Sequence, residues 1–167
     1  MKPLAFTGSA LALAAVAAMA APAPVSGQGL YRQNIAHDMG KCAPGKGPAV
    51  RVTIRGVKSS DGKIRVQSYR GTSSDWLEKG KWIYRIEQPA RAGTMQVCMP
   101  LPASGTYGIA VRHDTNGNGK TDLTKDGGGM SNNPSINIFN LGKPSYKKTA
   151  FEAGPGVTSI NIEMKYM

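Results

Sequence analysis

The chain has 167 residues and a formal net charge of +11, from 21 Lys and Arg against 10 Asp and Glu. That length suits one domain with a single core and leaves no room for a large multidomain enzyme. The charge favours anionic envelope polymers, lipid headgroups or acidic glycans as partners, unless it serves solubility alone. The absence of any nucleic-acid motif argues against a nucleic-acid role.

Residues 1–20 read as an export signal. Lys2 supplies the positive start, Leu11 to Ala20 is apolar and uncharged, and Ala18-Met19-Ala20 fits a small-x-small cleavage site. The apolar run is too short for the roughly 20 residues that span a bilayer. No second such run follows. The expectation is a protein of the periplasm or beyond, with no transmembrane span after cleavage. Residues 21–48 are rich in Ala, Pro, Gly and Lys and read as a flexible lead-in to a domain over 49–167.

Cys42 and Cys98 are the two cysteines. An even count in an exported chain predicts one disulfide. Closing a loop of that length stabilises by about 4 kcal/mol in the chain-entropy model. Two lone cysteines do not make a structural zinc site, which takes four ligands.

From Val50 onward the apolar period is two. Val50, Val52 and Ile54 share one face, and Ile64 and Val66 another, with Ser60-Asp61-Gly62 as a hairpin turn between them. Trp82, Tyr84 and Ile86 form a third row. Met95, Val97, Met99 and Leu101 form a fourth. Cys98 is out of phase with that row, so a bond to Cys42 would strap the lead-in across the outside of a sheet. Tyr107, Ile109, Val111 and His113 come next. The last and cleanest row is Ile160, Ile162, Met164 and Tyr166. Residues 74–80 offer a short turn of helix, with Asp75 in its first turn. No long helical period appears, so the fold class is all-β, an antiparallel sandwich of about seven strands. Leu101 to Tyr107 reads as a sandwich corner, with the Tyr107 hydroxyl bonded back to the crossing loop.

Two sets of residues carry candidate chemistry. The first is Asp114, Asn116, Asn118, Lys120 (through its carbonyl) and Asp122, spaced like the first nine positions of a calcium loop, with Gly119 at the sharp turn. Position twelve holds Lys125 where a bidentate Glu is needed, and Asp126 falls one residue late. Such a loop would bind calcium weakly, roughly 10⁻⁴ to 10⁻³ M. The same residues also make a good turn, and both readings stay open. The second set is Arg51, Arg55, Lys63 and Arg65, which would form one anion-binding face if the first two strands pair as a hairpin. A plain solvated face is the alternative.

Catalysis finds little support. His113 and Asp114 are adjacent in a strand and so point to opposite faces. No G-x-S-x-G elbow, H-E-x-x-H or Walker loop is present. No enzyme is expected.

Taken together, Leu101-Pro102, Gly105-x-Tyr107, His113-Asp114-x-Asn116-x-Asn118-Gly119, Ser131-Asn132-Asn133, Gly142-x-Pro144-Ser145-Tyr146 and Ala150-Phe151 resemble the bacterial family called domain of unknown function 2141. The resemblance runs from about Ala49 to Tyr166. It implies a small exported β-sandwich of transthyretin-like or immunoglobulin-like build, and it brings no catalytic residues. The family's Pro-x-Glu stretch is replaced here by Thr124 to Gly129, which removes one oxygen ligand from the loop region. The expected role is a non-catalytic cell-envelope or interaction module, whose recognition surface is the loop Asp114 to Pro144. The partner would be an anionic envelope polymer or another envelope protein. The alternative is binding of anionic glycan or lipid through the basic face.

Overall fold

The computed structural model describes residues 27–122, 124–136 and 142–166. The expected export signal lies outside the described residues, as does the start of the lead-in.

The described residues form ten strands in two sheets. The strands are β1 (Gln33–Asn34), β2 (Ala49–Val57), β3 (Lys63–Arg70), β4 (Tyr84–Pro89) and β5 (Gly93–Pro100). They continue with β6 (Gly105–Asp114), β7 (Gly127–Met130), β8 (Phe151–Ala153), β9 (Val157–Glu163) and β10 (Lys165–Tyr166). The larger sheet has the order β1-β4-β3-β6-β7-β10, with β8 added beside β6. The smaller sheet has the order β5-β2-β9. The fold is an all-β sandwich. Its sheets are mixed rather than purely antiparallel, because β1 runs parallel to β4 and β9 parallel to β2.

The alternating rows build the core between the sheets. Val50, Val52, Ile54, Ile64, Val66, Val97, Met99 and Ile109 are all 0% exposed. Full burial of such a side chain stabilises by about 1.5–3 kcal/mol. A slip of one residue in any of these strands would turn its row into water, so the pattern fixes the register. The Tyr107 hydroxyl donates to Ala103 O at 2.9 Å, which closes the expected sandwich corner.

Four expectations change. β2 and β3 do not form a hairpin; β2 pairs with β5 and β9, and β3 with β4 and β6. The chain crosses from one sheet to the other between Val57 and Lys63. Trp82 leaves the row of Tyr84 and Ile86 and packs on the opposite side of the sheet, because the chain bends before β4 and Ile83 takes the inner position. The last row is split. β9 pairs with β2 through Glu163, and after a break at Met164 the strand β10 joins β7 in the other sheet. Glycines 127 and 129 permit this approach: a Cβ on Gly129 would lie 2.6 Å from Ile162 Cγ2, and one on Gly127 would lie 2.3 Å from the Tyr166 ring. Finally, residues 74–80 hold turns rather than helix. The one described α-helix is α1 (Tyr146–Thr149).

The disulfide joins Cys42 to Cys98. Cys98 pairs with Arg51 across the β2–β5 ladder and shares its outward face. The segment around Cys42 lies over this patch, so that both cysteines and Ala49 are at most 1% exposed. The lead-in is thus strapped to the outside of the smaller sheet.

Candidate functional site

The outer face of the larger sheet is built differently. A second apolar cluster lies there, made of Tyr69, Trp76, Trp82 and Met130. Tyr69 meets Trp76 edge-on at 5.4 Å between ring centres. The indole rests directly on Gly108, where a Cβ would come within 2.5 Å of the ring. Trp76 Nε1 donates to Pro144 O at 2.9 Å, which ties the turn after β3 to the long loop after β7. Between these two walls a groove of about 430 Å³ remains over β3, β6 and β7. Ligand pockets typically span about 300–1,000 Å³.

The groove is apolar along one side and cationic along the other. Leu77, Ala110, Met130 and Ile136 supply the apolar lining, and Leu77, Ala110 and Ile136 are only half buried. Leu77 is held at φ 56°, a left-handed conformation uncommon for a branched aliphatic residue. Arg65, Arg112, Lys143 and Lys165 supply positive charge, against the one carboxylate of Asp126. Arg65 and Arg112 stand directly opposite each other across the β3–β6 ladder. Arg85 lies diagonal to Arg65 on β4, stacked over the Trp82 ring at 4.1 Å.

Three guanidinium groups on adjacent strands repel one another. Arg65 donates from Nε to Glu87 at 2.6 Å. Arg112 donates from Nη2 to Asp114 Oδ2 at 3.3 Å and to Gly119 O at 3.0 Å, and from Nη1 to Thr121 Oγ1 at 2.9 Å. The Nε atoms of Arg85 and Arg112 are buried without a hydrogen-bond partner. Burial, and then the charge of Arg65, pushes both Arg85 and Arg112 below the ordinary arginine range. An arriving anion would relieve that repulsion.

The four basic residues expected to share a face do not. Lys63 and Arg65 lie on the outer face of the larger sheet, whereas Arg51 and Arg55 lie on that of the smaller one. The crossing between β2 and β3 separates them. Arg51 is committed to the lead-in, donating to Cys42 O at 2.6 Å. Arg55 stands 3.9 Å from Glu163 on the neighbouring strand, with both side chains about half exposed.

The loop Asp114 to Asp126 borders the groove through Arg112. Within it, Asp122 Oδ2 accepts from the amides of Asn116 at 2.8 Å and Asn118 at 2.9 Å. These amides hold the Asp122 carboxylate below its ordinary 3.8. Asp114 Oδ2 accepts from Gly119 N at 2.8 Å, and Lys120 N donates to Asn118 Oδ1 at 2.7 Å. Asp126 folds back into the loop, accepting from Thr115 N at 3.1 Å and Asp122 N at 3.0 Å. Asp114 is 4% exposed, and its Oδ1 has no hydrogen-bond partner. Among the described residues no three His, Cys, Asp or Glu side chains are gathered closely enough to hold a metal ion. Asp114 Oδ2, Asp122 Oδ2 and both Asp126 oxygens are spent on the loop's own turn, and Asp114 Oδ1 is not.

His113 is fully buried on the inner face, away from Asp114. Its Nε2 meets Asp61 O at 2.7 Å and its Nδ1 meets the Tyr166 hydroxyl at 2.8 Å. A carbonyl can only accept, so Nε2 carries the proton and Nδ1 accepts from Tyr166. This imidazole pins β10 and is not placed to serve a substrate on the outer face.

The other shared motifs also have fold duties. Ser131 Oγ donates to Thr149 O at 2.5 Å and accepts from Ile109 N at 3.0 Å. The Asn133 side chain donates to Asn161 O at 3.1 Å and accepts from Glu163 N at 2.8 Å, stitching the long loop to the smaller sheet.

Residues 52–161 match the family model described as "Uncharacterized protein conserved in bacteria (DUF2141)". No curated protein and no solved structure matches the chain. The match spans well over half of the sequence and contains every motif from Leu101 to Phe151; this chain belongs to the DUF2141 family.

Proposed function

We propose that this protein is an exported, non-catalytic binding module that takes an anionic ligand on the outer face of its larger sheet, against the wall made by the long loop. The observation that carries this reading is the opposed pair Arg65 and Arg112 at the edge of a partly apolar groove. Like charges set side by side cost stability in a sheet, and an anion bridging them turns that cost into affinity. Export is supported by the apolar run Leu11 to Ala20 and by the disulfide. The site would face the cell envelope, where acidic polymers and lipids are abundant.

The test compares two double variants of equal net charge, Arg65→Gln with Arg112→Gln and Arg51→Gln with Arg55→Gln. Each is loaded on a sulfated dextran column and eluted with salt. The first pair should elute at clearly lower salt than the second. Equal elution would mean that only the bulk charge matters, and the reading would fail.

The buried, unpartnered Asp114 Oδ1 favours a second reading, a weak calcium site in the Asp114 to Asp126 loop. Asp126 would stand in for the missing position-twelve Glu, once the Asn116 and Asn118 amides turn their carbonyls inward. Calcium titrated into chelator-treated protein should raise the unfolding midpoint, and Asp114→Asn should abolish the rise. No shift up to several millimolar would leave the loop as a turn.

A further inference from the structure

Resting on the anionic reading of the same groove, we infer that its ligand is a single amphiphilic acid, with a carboxylate or phosphate head between Arg65 and Arg112 and a short unbranched tail over Leu77, Ala110, Met130 and Ile136. The chemistry of the lining sets this choice. An acidic glycan is polar along its whole length and would leave the apolar side unmatched. An inorganic anion would use the arginines and leave the rest of the cavity unused. The groove is open to solvent but lies between walls tied together through the Trp76–Pro144 bond and holds about 430 Å³, which suits a molecule of limited length.

Head and tail would be held by different means. Arg65 spends Nε on Glu87, and no bond among the described residues engages its terminal nitrogens. Arg112 spends its terminal nitrogens on Asp114, Gly119 and Thr121, and its Nε is buried, so it would act on the head through its charge. A donating fork from Arg65 and a second positive charge from the opposite strand suit a tetrahedral or planar oxyanion. The tail would cover apolar surface that the half-buried Leu77, Ala110 and Ile136 now show to water. Ala110 sits at the centre of this arrangement, two residues from Arg112 on the same face of β6. A larger residue there would shorten the tail's path without touching a charge.

The experiment is a calorimetric titration of the wild-type protein with monomeric alkyl phosphates from butyl to octyl, beside inorganic phosphate and 1-octanol. Each added methylene should tighten binding about two- to fourfold until the groove is full. Inorganic phosphate and 1-octanol should each bind far more weakly than octyl phosphate. Ala110→Leu should weaken octyl phosphate about tenfold or more while changing butyl phosphate little, with an unfolding midpoint close to wild type. Affinity that ignores chain length would overturn the amphiphile. If sulfated dextran were still held through Arg65 and Arg112 in that case, the anionic reading would survive without its tail. If neither probe distinguished those arginines, both readings would fall. Vesicles of phosphatidylglycerol separate a membrane lipid from a free acid: binding to vesicles but to no monomer at any chain length would place the face on a membrane surface and overturn the groove ligand.

Discussion

The two outer faces of the sandwich show opposite solutions to the same problem. On the smaller sheet, the apolar patch of Ala49 and Cys98 is sealed by a covalent strap, and Arg51 is bonded to that strap. On the larger sheet, the aromatic cluster is covered only in part. The two covering segments hold each other through Trp76 and Pro144 and leave a cleft whose cations outnumber its anions. A sealed face serves stability, and a face left open despite clustered arginines is the one to examine for a ligand.

Breaking the strap should have the largest effect on stability and none on binding. Replacing both cysteines by Ala should cost about 2–4 kcal/mol, measured by denaturant unfolding. Octyl phosphate affinity should stay unchanged. The paired Arg65→Gln and Arg112→Gln variant should act chiefly on binding, with a smaller loss of stability from the Arg112 bonds to the loop. Its affinity for octyl phosphate should fall more than about tenfold, since a bond to a charged partner contributes about 1.5–3 kcal/mol. Gly108→Ala lies between these cases. The new methyl would meet Trp76 at 2.5 Å. Overpacking of this kind costs about 1–3 kcal/mol, and displacement of the indole should weaken binding as well. Calorimetry and thermal unfolding on one sample would show both changes.

Asp126→Asn should cost less, about 1 kcal/mol, because its carboxylate accepts the backbone N–H groups of Thr115 and Asp122. The smallest effect is on pH. The Asp122 carboxylate is held below its ordinary 3.8 by the Asn116 and Asn118 amides. A depressed carboxylate contributes order that is fully present above 3.8 and is lost as pH falls through its lower folded value. Amide exchange or NMR in the loop should therefore show loosening only below that pH. Loosening that begins near neutrality would point to another group.

Much of the sandwich was legible in the alternating rows, because a period of two with one buried face admits one facing. The orientation of Cys98 and the separation of His113 from Asp114 followed from that parity, and the corner at Tyr107 from the local run Leu101 to Tyr107. Sheet membership did not. Nothing in Val57 to Lys63 distinguishes a hairpin from a crossing, and the row Ile160 to Tyr166 keeps its period while its strands change sheets at Met164. The basic residues part company for the same reason. Arg51 and Arg65 both occupy polar positions, and only the pairing of β3 with β6 brings Arg65 to Arg112. Arg112 carried a signal in its alternation with Val111 and His113, but its meaning depends on the neighbouring strand. The return of Asp126 into the loop comes from the turn at Asp122, where Asp126 N donates to Asp122 O at 2.7 Å. Counting positions does not reveal that reach.

The most direct measurement is a backbone-amide NMR titration of the isotopically labelled protein with octyl phosphate. The account predicts shifts concentrated on Arg65 to Gln67, Ala110 to Arg112 and Gly128 to Met130, with β2, β5 and β9 nearly still. Shifts centred on Arg51 and Arg55, or spread evenly over both faces, would contradict it.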